Sequence, residues 1–182
     1  MSILLFCYLC RHEGQVLQEI VARISSELIP SSTHERKCDV FVSFSGADTS
    51  TKFTDHLYTG LELKGISTFR DDEKLEQGTP IGPELFKAIE ESKYAVVILS
   101  SYYASSRWCL TELAKIVDCK KKTGLVVLPV FHNVDPSDVR NQKGIYAEAF
   151  KKHEERNKEV VHMWKAALME VANLSGWYLG DR

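Results

Sequence analysis

One glutamate in the chain lies where its carboxylate can face a ligand instead of solvent. In the stretch SSRWCLTELAKI, residues 105–116, Glu112 follows Trp108 by four positions and Cys109 by three. Residues three and four apart share one side of an α-helix, so the carboxylate can lie on the side of the tryptophan and the cysteine. A carboxylate held in a cleft is a candidate for catalysis or ligand binding. The alternative is an exposed helix residue that pairs with Lys115.

Two loops can bring a ligand to this carboxylate. SFSGADT, residues 43–49, follows the first predicted strand, and SSYYASSRWC, residues 100–109, follows the third. Ligands of doubly wound sheets bind beyond the carboxyl ends of the strands at which the winding reverses, here the first and third strands. Ser105 or Ser106 can cap the next helix, whose first turns then offer N–H groups and a positive dipole end to an anion.

The order of apolar and helical segments predicts the fold that positions these loops. Short apolar runs alternate with longer helical stretches, which is typical of a mostly parallel sheet with helices on both faces. We predict an α/β domain with five strands in the order 2-1-3-4-5, the flavodoxin-like arrangement. The predicted strands are residues 38–44, 66–71, 94–100, 125–131 and an edge strand within 176–179. The predicted helices are residues 51–65, 83–93, 105–116 and a charged region that ends in 163–174, with 132–144 as a loop.

An amphipathic helix is predicted before this domain. In residues 13–29 apolar side chains recur at helical spacing, and Pro30 ends the pattern. Residues 30–37 are polar and rich in helix breakers, which indicates a linker, so the main domain covers residues 38–180. The first apolar run, SILLFCYLC, has about half of the roughly 20 residues that a membrane span requires, and we expect no membrane segment.

Composition argues against several partners and sites. With a net charge of −2 over 182 residues, the chain has no broad attraction to nucleic acid. Its five cysteines, an odd number without regular spacing, do not form a disulfide framework, so a reducing cytosol is expected. Cys7 and Cys10 form one CxxC, but zinc requires four ligands, and we expect no metal. The sequence also lacks the glycine-rich Walker motif of P-loop nucleotide hydrolases.

Acidic residues follow the second predicted strand rather than the third. The phosphoacceptor site of response regulators needs an aspartate at the end of the third strand, where this chain reads ILSSYY, so that function is excluded. Asp71 and Asp72 lie instead in the loop of residues 70–82, whose glycines and prolines indicate a shaped, partly mobile projection. Ordinary alternatives are a solvated loop here, a core role for Trp108 and a tight turn at Gly46.

Five stretches of the sequence resemble, in order, the TIR domain of plant immune receptors. They are DVFVSFSGADT, FTDHLYTGLELKGISTFRDDEKLEQGTPI, LFKAIEESKYAVVILSSYYASSRWCLTELAKI, VLPVFHNVDPSDVRNQKG and ANLSGWYL, and together they span about residues 37–180. The resemblance implies the same flavodoxin-like fold. It also implies an enzyme, because many members of this family cleave NAD at the bond between nicotinamide and ribose.

The resemblance assigns roles to the residues of the cleft. In the family the glutamate of the WCLxEL pattern stabilises positive charge on the ribose, and it falls on Glu112. Nicotinamide in NAD is already a cationic leaving group, so its departure needs no general acid. NAD is then the substrate, and no cofactor is expected. Five positions of this chain resemble the NAD-facing residues of the family. They are Phe44, Ser45, Gly46, Ala47 and Trp108.

The resemblance also implies self-association. Residues 70–82 resemble the BB loop, which in the family closes over the site of a neighbouring subunit. Asp55 and His56 lie in the helix that mediates self-association in the family. The expected partners are this chain itself, other TIR domains and NAD. The BB-loop positions are Asp71, Asp72, Gly78 and Ile81.

Three features depart from the family pattern. Ser45 replaces an arginine able to contact phosphate, and loss of such a charge-assisted donor typically costs about 1.5–3 kcal/mol, so weak turnover is expected. The family often has a serine–histidine pair in the self-association helix. Asp55 replaces its serine, whereas His56 matches its histidine. Residues 1–29 resemble the connector that leads from a TIR domain to an ATPase module, but here they precede the domain. The chain thus resembles a truncated, TIR-only form of a receptor.

Two functions follow from these observations. The first is an NAD nucleosidase or ADP-ribosyl cyclase-type hydrolase of plant disease resistance, active when self-associated, with Glu112 as its catalytic residue. The second is a non-catalytic interaction module that pairs with TIR-bearing immune receptors, motivated by Ser45 and by the missing ATPase module. The expected location is the cytoplasm, with nuclear entry open to a chain of this size.

Overall fold

The computed structural model describes residues 3–28, 38–47, 51–69, 81–156 and 158–180. Of residues 3–11, 51, 52 and 81 only the backbone is described. The predicted linker, residues 30–37, lies outside the described residues, as does most of the predicted loop 70–82.

Helices and strands alternate through the described chain. In chain order they are α1 Ile3–Glu27, β1 Val40–Phe44, α2 Thr51–Glu62, β2 Thr68–Phe69, α3 Ile81–Glu91, β3 Tyr94–Leu99, a 3-10 helix Tyr103–Ser105, α4 Arg107–Thr123, β4 Val126–His132, α5 Pro136–Asn141, α6 Ile145–Glu154, α7 Lys158–Ala172 and β5 Trp177–Leu179. The predicted strands are confirmed, although β2 is only two residues long.

The strands form one parallel sheet. Their order is β2-β1-β3-β4-β5, which confirms the predicted fold class. The central strand β3 is buried along its whole length because helices cover both faces of the sheet. Alternate residues of β3 point to opposite faces: Ala95, Val97 and Leu99 to one, and Tyr94, Val96 and Ile98 to the other.

The helices divide between the two faces of the sheet. Helices α3, α4 and α7 pack on the first face through Leu85, Leu113 and Leu168. Each of the crossovers from β2 to β3, β3 to β4 and β4 to β5 thus places a helix on that face. The second face receives α2 from the crossover between β1 and β2, through Leu57. Helix α1 covers a further part of the second face, beside α2 and β5, through Ile24.

Helix α1 shares the hydrophobic core of the sheet. Ile24 is fully buried among the side chains of the second face. Two hydrogen bonds supplement this packing. In the first, the Trp177 indole N–H donates to Glu19 Oε2 at 2.9 Å. The Tyr94 hydroxyl likewise donates to Glu27 Oε2 at 2.5 Å. Both ends of the segment from Glu19 to Glu27 are therefore fixed to the sheet.

Gly60 allows α1 to approach α2 closely. A Cβ atom at this position would lie 3.2 Å from Val21 Cγ2 and 3.3 Å from Leu17 Cδ2. A glycine in a helix interior costs about 0.5–1 kcal/mol relative to alanine. In return, the side chains of α1 pack directly on the backbone of α2.

Two segments differ from the predictions made from the sequence. Helix α1 begins at Ile3 rather than at residue 13, because the apolar run before the amphipathic segment continues the helix. Residues 132–144, predicted as a loop, contain α5. The Asp135 carboxylate caps this helix by accepting the Ser137 N–H at 2.7 Å, and Pro136 occupies its first turn. Proline acts here as a helix starter, not as a breaker.

Across the ranges described above, none of the helices has both the length and the apolar character that crossing a membrane requires.

We predict that Ile24→Ala destabilises the domain. Removal of this fully buried side chain leaves a cavity in the core shared by α1 and the sheet, which costs about 2–5 kcal/mol of unfolding free energy. Denaturant unfolding of the full chain measures the change. The control Gln18→Ala alters an exposed residue of the same helix and should stay within about 0.5 kcal/mol of the parent. Equal stabilities of the parent and Ile24→Ala would contradict the packing of α1 on the sheet.

Candidate active site

A cavity opens at the carboxyl ends of β1 and β3. These strands are neighbours, with Phe44 paired to Ile98, and the winding of the sheet reverses between them. The cavity has a volume of about 460 Å³. Most of its lining is apolar or aromatic. The described residues that line it are Phe41, Val42, Phe44, Ser45, Gly46, Phe69, Leu85, Ser106, Trp108, Cys109 and Glu112.

Helix α4 brings Glu112 to the cavity. Of the two serines predicted as caps, Ser106 is the N-cap, since its Oγ accepts the backbone N–H of Cys109 at 3.2 Å. The helix ends at Gly124, whose φ of 75° is a left-handed conformation that glycine adopts without strain. Leu113 is fully buried against the sheet, which fixes the rotation of the helix about its axis.

The Glu112 side chain is buried and hydrogen-bonded. Only 6% of the residue is exposed, and the Ser43 hydroxyl of β1 donates to Glu112 Oε2 at 2.7 Å. Lys115, the partner considered from the sequence, donates instead to the Glu90 carboxylate of α3. The interpretation of Glu112 as an exposed helix residue paired with Lys115 is therefore wrong. A carboxylate that has lost water needs such donors, because an unsatisfied buried charge is costly.

Tyr103 extends the hydrogen bonding beyond Ser43. The tyrosine is fully buried in the 3-10 helix, with its hydroxyl 2.8 Å from Ser43 Oγ and 3.2 Å from the Cys109 carbonyl oxygen. Burial raises the pKa of Tyr103 well above its usual value, and the nearby Cys109 and Glu112 raise it further. Tyr103 therefore keeps its proton at neutral pH and remains a hydrogen-bond donor.

The contacts of Ser43 and Tyr103 were not foreseen from the sequence. A signal existed for Ser43, because a hydroxyl at a buried position of the apolar strand VFVSF needs a partner. Tyr103 gave no comparable signal, since its burial in a loop segment depends on packing between distant elements.

Most of the predicted NAD-facing residues lie together. Residues 44–46 line the same cavity as Glu112. Trp108 also lines the cavity and is 39% exposed, so it is not a core residue. Ala47 is exposed and is not among the described lining residues.

The residues predicted for assembly lie elsewhere or outside the described chain. Asp55 and His56 are exposed on α2 and do not belong to the described cavity lining. Asp71, Asp72 and Gly78 lie outside the described residues. Ile81 is the first residue of α3, and only its backbone is described.

The electrostatics of the cavity depend on Glu112. Among the described lining residues it is the one charged side chain. Charge interactions are stronger in a water-poor, apolar environment than in bulk water. The site therefore favours a ligand that carries or develops positive charge beside Glu112. The described part of the chain contains no group of three or more His, Cys, Asp or Glu residues able to hold a metal ion.

Comparison with known proteins connects this chain to a family. A family model described as TIR domain matches residues 37–181. The chain is similar to the disease resistance protein RPV1 of Vitis rotundifolia, with 53% identity over 157 residues, 86% of this chain and 11% of that protein. It is also similar to the TMV resistance protein N of Nicotiana glutinosa, with 52% identity over 149 residues, 80% of this chain and 13% of that protein. The chain thus spans only 11% and 13% of the length of these two curated relatives.

A solved structure is similar in both fold and sequence. It is described as the structure of the activated Roq1 resistosome directly recognizing the pathogen effector XopQ, and the similarity is to its TIR domains. The TM-score is 0.74 at 50% sequence identity, and the alignment covers 78% of this chain and 87% of that chain.

Proposed function

The chain belongs to the TIR domain family, and we propose that it is a plant immune-signalling enzyme that cleaves NAD between nicotinamide and ribose. One observation carries the proposal. Glu112 is buried, is hydrogen-bonded through Oε2, and is the charged side chain among the described lining of a cavity at the carboxyl edge of the sheet. The similarity to plant disease resistance proteins supports the role in immune signalling.

The reaction suits a site with one carboxylate. The nicotinamide ring of NAD carries a positive charge, so when its bond to the ribose breaks, the electron pair returns to the ring and neutral nicotinamide leaves. No acid is needed to protonate the leaving group, in contrast to glycoside hydrolysis with two carboxyl groups. Positive charge develops on the ribose, and a nucleophile such as water then bonds to the same carbon and releases a proton.

Glu112 supplies electrostatic stabilisation in this scheme. Its carboxylate is held by the Ser43 hydroxyl before substrate binds. A charge that is already oriented needs no reorganisation as the transition state forms, which is the main source of electrostatic catalysis. Trp108 and Phe44 offer aromatic faces to the rings of the dinucleotide. The N-terminus of α4, where Ser106 lines the cavity, presents a positive dipole end to the phosphates.

Self-association is a second part of the proposal. The similar TIR domains belong to a resistosome according to the description of that structure. Asp55 and His56 are exposed on α2, on a part of the helix that α1 leaves uncovered. These residues are accordingly accessible to a second copy of the chain.

We place this activity in the cytoplasm, with nuclear entry still open. Cys38, Cys109 and Cys119 are buried and carry thiols rather than disulfides, which suits a reducing compartment.

Glu112→Gln should abolish nicotinamide release from NAD. The substitution keeps the shape of the side chain but removes its charge, and loss of one preorganised electrostatic interaction typically costs about 100-fold or more in kcat. Chromatography of nicotinamide released by the concentrated full chain measures the effect. Asp118→Asn, the same change at a carboxylate of α4 that pairs with Lys122, is the matched control. Undiminished release by Glu112→Gln would refute the catalytic role, and a silent parent that self-associates would support the interaction module.

Ser45→Arg should raise the activity on NAD. Ser45 lines the cavity, so we expect an arginine at this position to reach the phosphates of NAD and to add a charge-assisted hydrogen bond. We expect kcat/KM for NAD to rise by about tenfold. The gain should vanish with nicotinamide riboside, which has no phosphate. Ser45→Gln controls for side-chain length, and an equal gain from glutamine or with the riboside would contradict this explanation.

His56→Ala should weaken self-association and make the activity per molecule independent of protein concentration. The side chain is exposed on α2 and outside the described cavity lining, so the KM of the remaining activity should not change. Sedimentation and nicotinamide release over a range of protein concentrations measure both effects. Glu62→Ala, at an exposed residue of the same helix, is the control. Parental sedimentation of His56→Ala would exclude this surface of α2 from the interface.

A further inference from the structure

Three buried residues form a continuous chain of hydrogen bonds behind the cavity. Ser43 comes from β1, Tyr103 from the 3-10 helix after β3, and Glu112 from α4. The distances are 2.8 Å from Tyr103 Oη to Ser43 Oγ and 2.7 Å from Ser43 Oγ to Glu112 Oε2. We propose that Ser43 and Tyr103 are positioning residues that hold the Glu112 carboxylate in its reactive orientation. This inference rests on the proposed NAD cleavage.

The number of hydroxyl hydrogens determines which residue donates in each of these hydrogen bonds. Each hydroxyl has one hydrogen to donate. Ser43 uses its hydrogen on Glu112, because the ionised carboxylate can only accept. Tyr103 must then donate to Ser43 at 2.8 Å, and the Cys109 carbonyl oxygen at 3.2 Å is its weaker second acceptor. Ser43 thus donates to Glu112, and Tyr103 donates to Ser43.

Burial makes this chain effective. Ser43 and Tyr103 have no exposed surface, so water cannot replace either hydroxyl as a donor. Glu112 has several rotatable bonds, and a glutamate on a helix without such a contact samples several rotamers. The hydrogen bond to Oε2 also links β1 to α4, which are two sides of the cavity. These hydrogen bonds therefore set the orientation of the Glu112 carboxylate and the distance of that carboxylate from residues 44–46.

Tyr103 remains a hydrogen-bond donor over the pH range of an assay. The titratable groups that act on Tyr103 are Cys109, Glu112 and Tyr146. The raised pKa of Tyr103 keeps its hydroxyl protonated.

The first test is Ser43→Ala in the full chain, assayed with NAD. We expect kcat to fall by about tenfold with KM within about twofold of the parent, because an interaction that orients a reacting group acts mainly on kcat. Ser92→Ala is the matched control. Ser92 is also buried, but it lies just before β3, away from the cavity, and donates to the Ala88 carbonyl oxygen of α3.

A double-mutant cycle tests whether Tyr103 acts through Ser43. Tyr103→Phe alone should lower kcat by about threefold, and in the Ser43→Ala background it should cause no further loss. Tyr146→Phe is the control, because this buried tyrosine donates to the Ser100 carbonyl oxygen at 2.8 Å instead of to the chain. Independent, multiplying effects of the two changes would show that Tyr103 does not act through Ser43 and would contradict its positioning role.

The outcomes separate this inference from the proposed function. If the parent depends on Glu112 and Ser43→Ala turns over with the parental kcat and KM, the inference fails and the proposed function stands. If the parent releases no nicotinamide, or releases it equally from Glu112→Gln, the proposed function fails and this inference fails with it. A selective loss of kcat in Ser43→Ala, with parental unfolding behaviour, supports both.

Discussion

The Glu112 carboxylate has lost most of its water, and this constraint governs the surrounding structure. An ionised group in such a place is stable only when nearby donors replace the solvent. The Ser43 hydroxyl meets that need from an otherwise apolar strand, and Tyr103 in turn satisfies Ser43. A buried serine in β1 and a buried tyrosine in the 3-10 helix are unfavourable features when each is considered alone. The Glu112 carboxylate explains both, because it accepts the hydrogen of Ser43, which in turn bonds to Tyr103.

Sheet topology brings the members of this cluster together from distant parts of the sequence. Because the winding reverses between β1 and β3, the segments that leave these two strands meet at one edge instead of being separated by a crossover helix. The Ser106 cap then starts α4 at that edge, and the packing of Leu113 fixes which side of the helix faces the cavity. The same scaffold leaves the cavity lining mostly apolar. This environment strengthens the electrostatic effect of Glu112, the one charged side chain among the described lining residues.

Features that depend on local patterns could be predicted from the sequence, whereas those that depend on contacts between distant elements could not. The apolar run of β3, the alternation of strands and helices and the serine cap of α4 all have short-range signals, and they led to the correct strand order. The position of Glu112 beside the cleft followed from helical spacing combined with that topology. The bond from Ser43 to Glu112 joins residues 69 positions apart, so no periodic pattern reports it. Helix α5 was missed for a different reason, because Pro136 can either start a helix or break one.

Helix α1 runs antiparallel to the strands. Its Glu19 lies against Trp177, which pairs with Val130 in the carboxyl half of β4, and its Glu27 reaches Tyr94, which pairs with Val126 at the start of β4. This course, on the face opposite α7, is the one that a helix placed after β5 in the chain would follow. The order of segments along the polypeptide is thus separable from their arrangement in space.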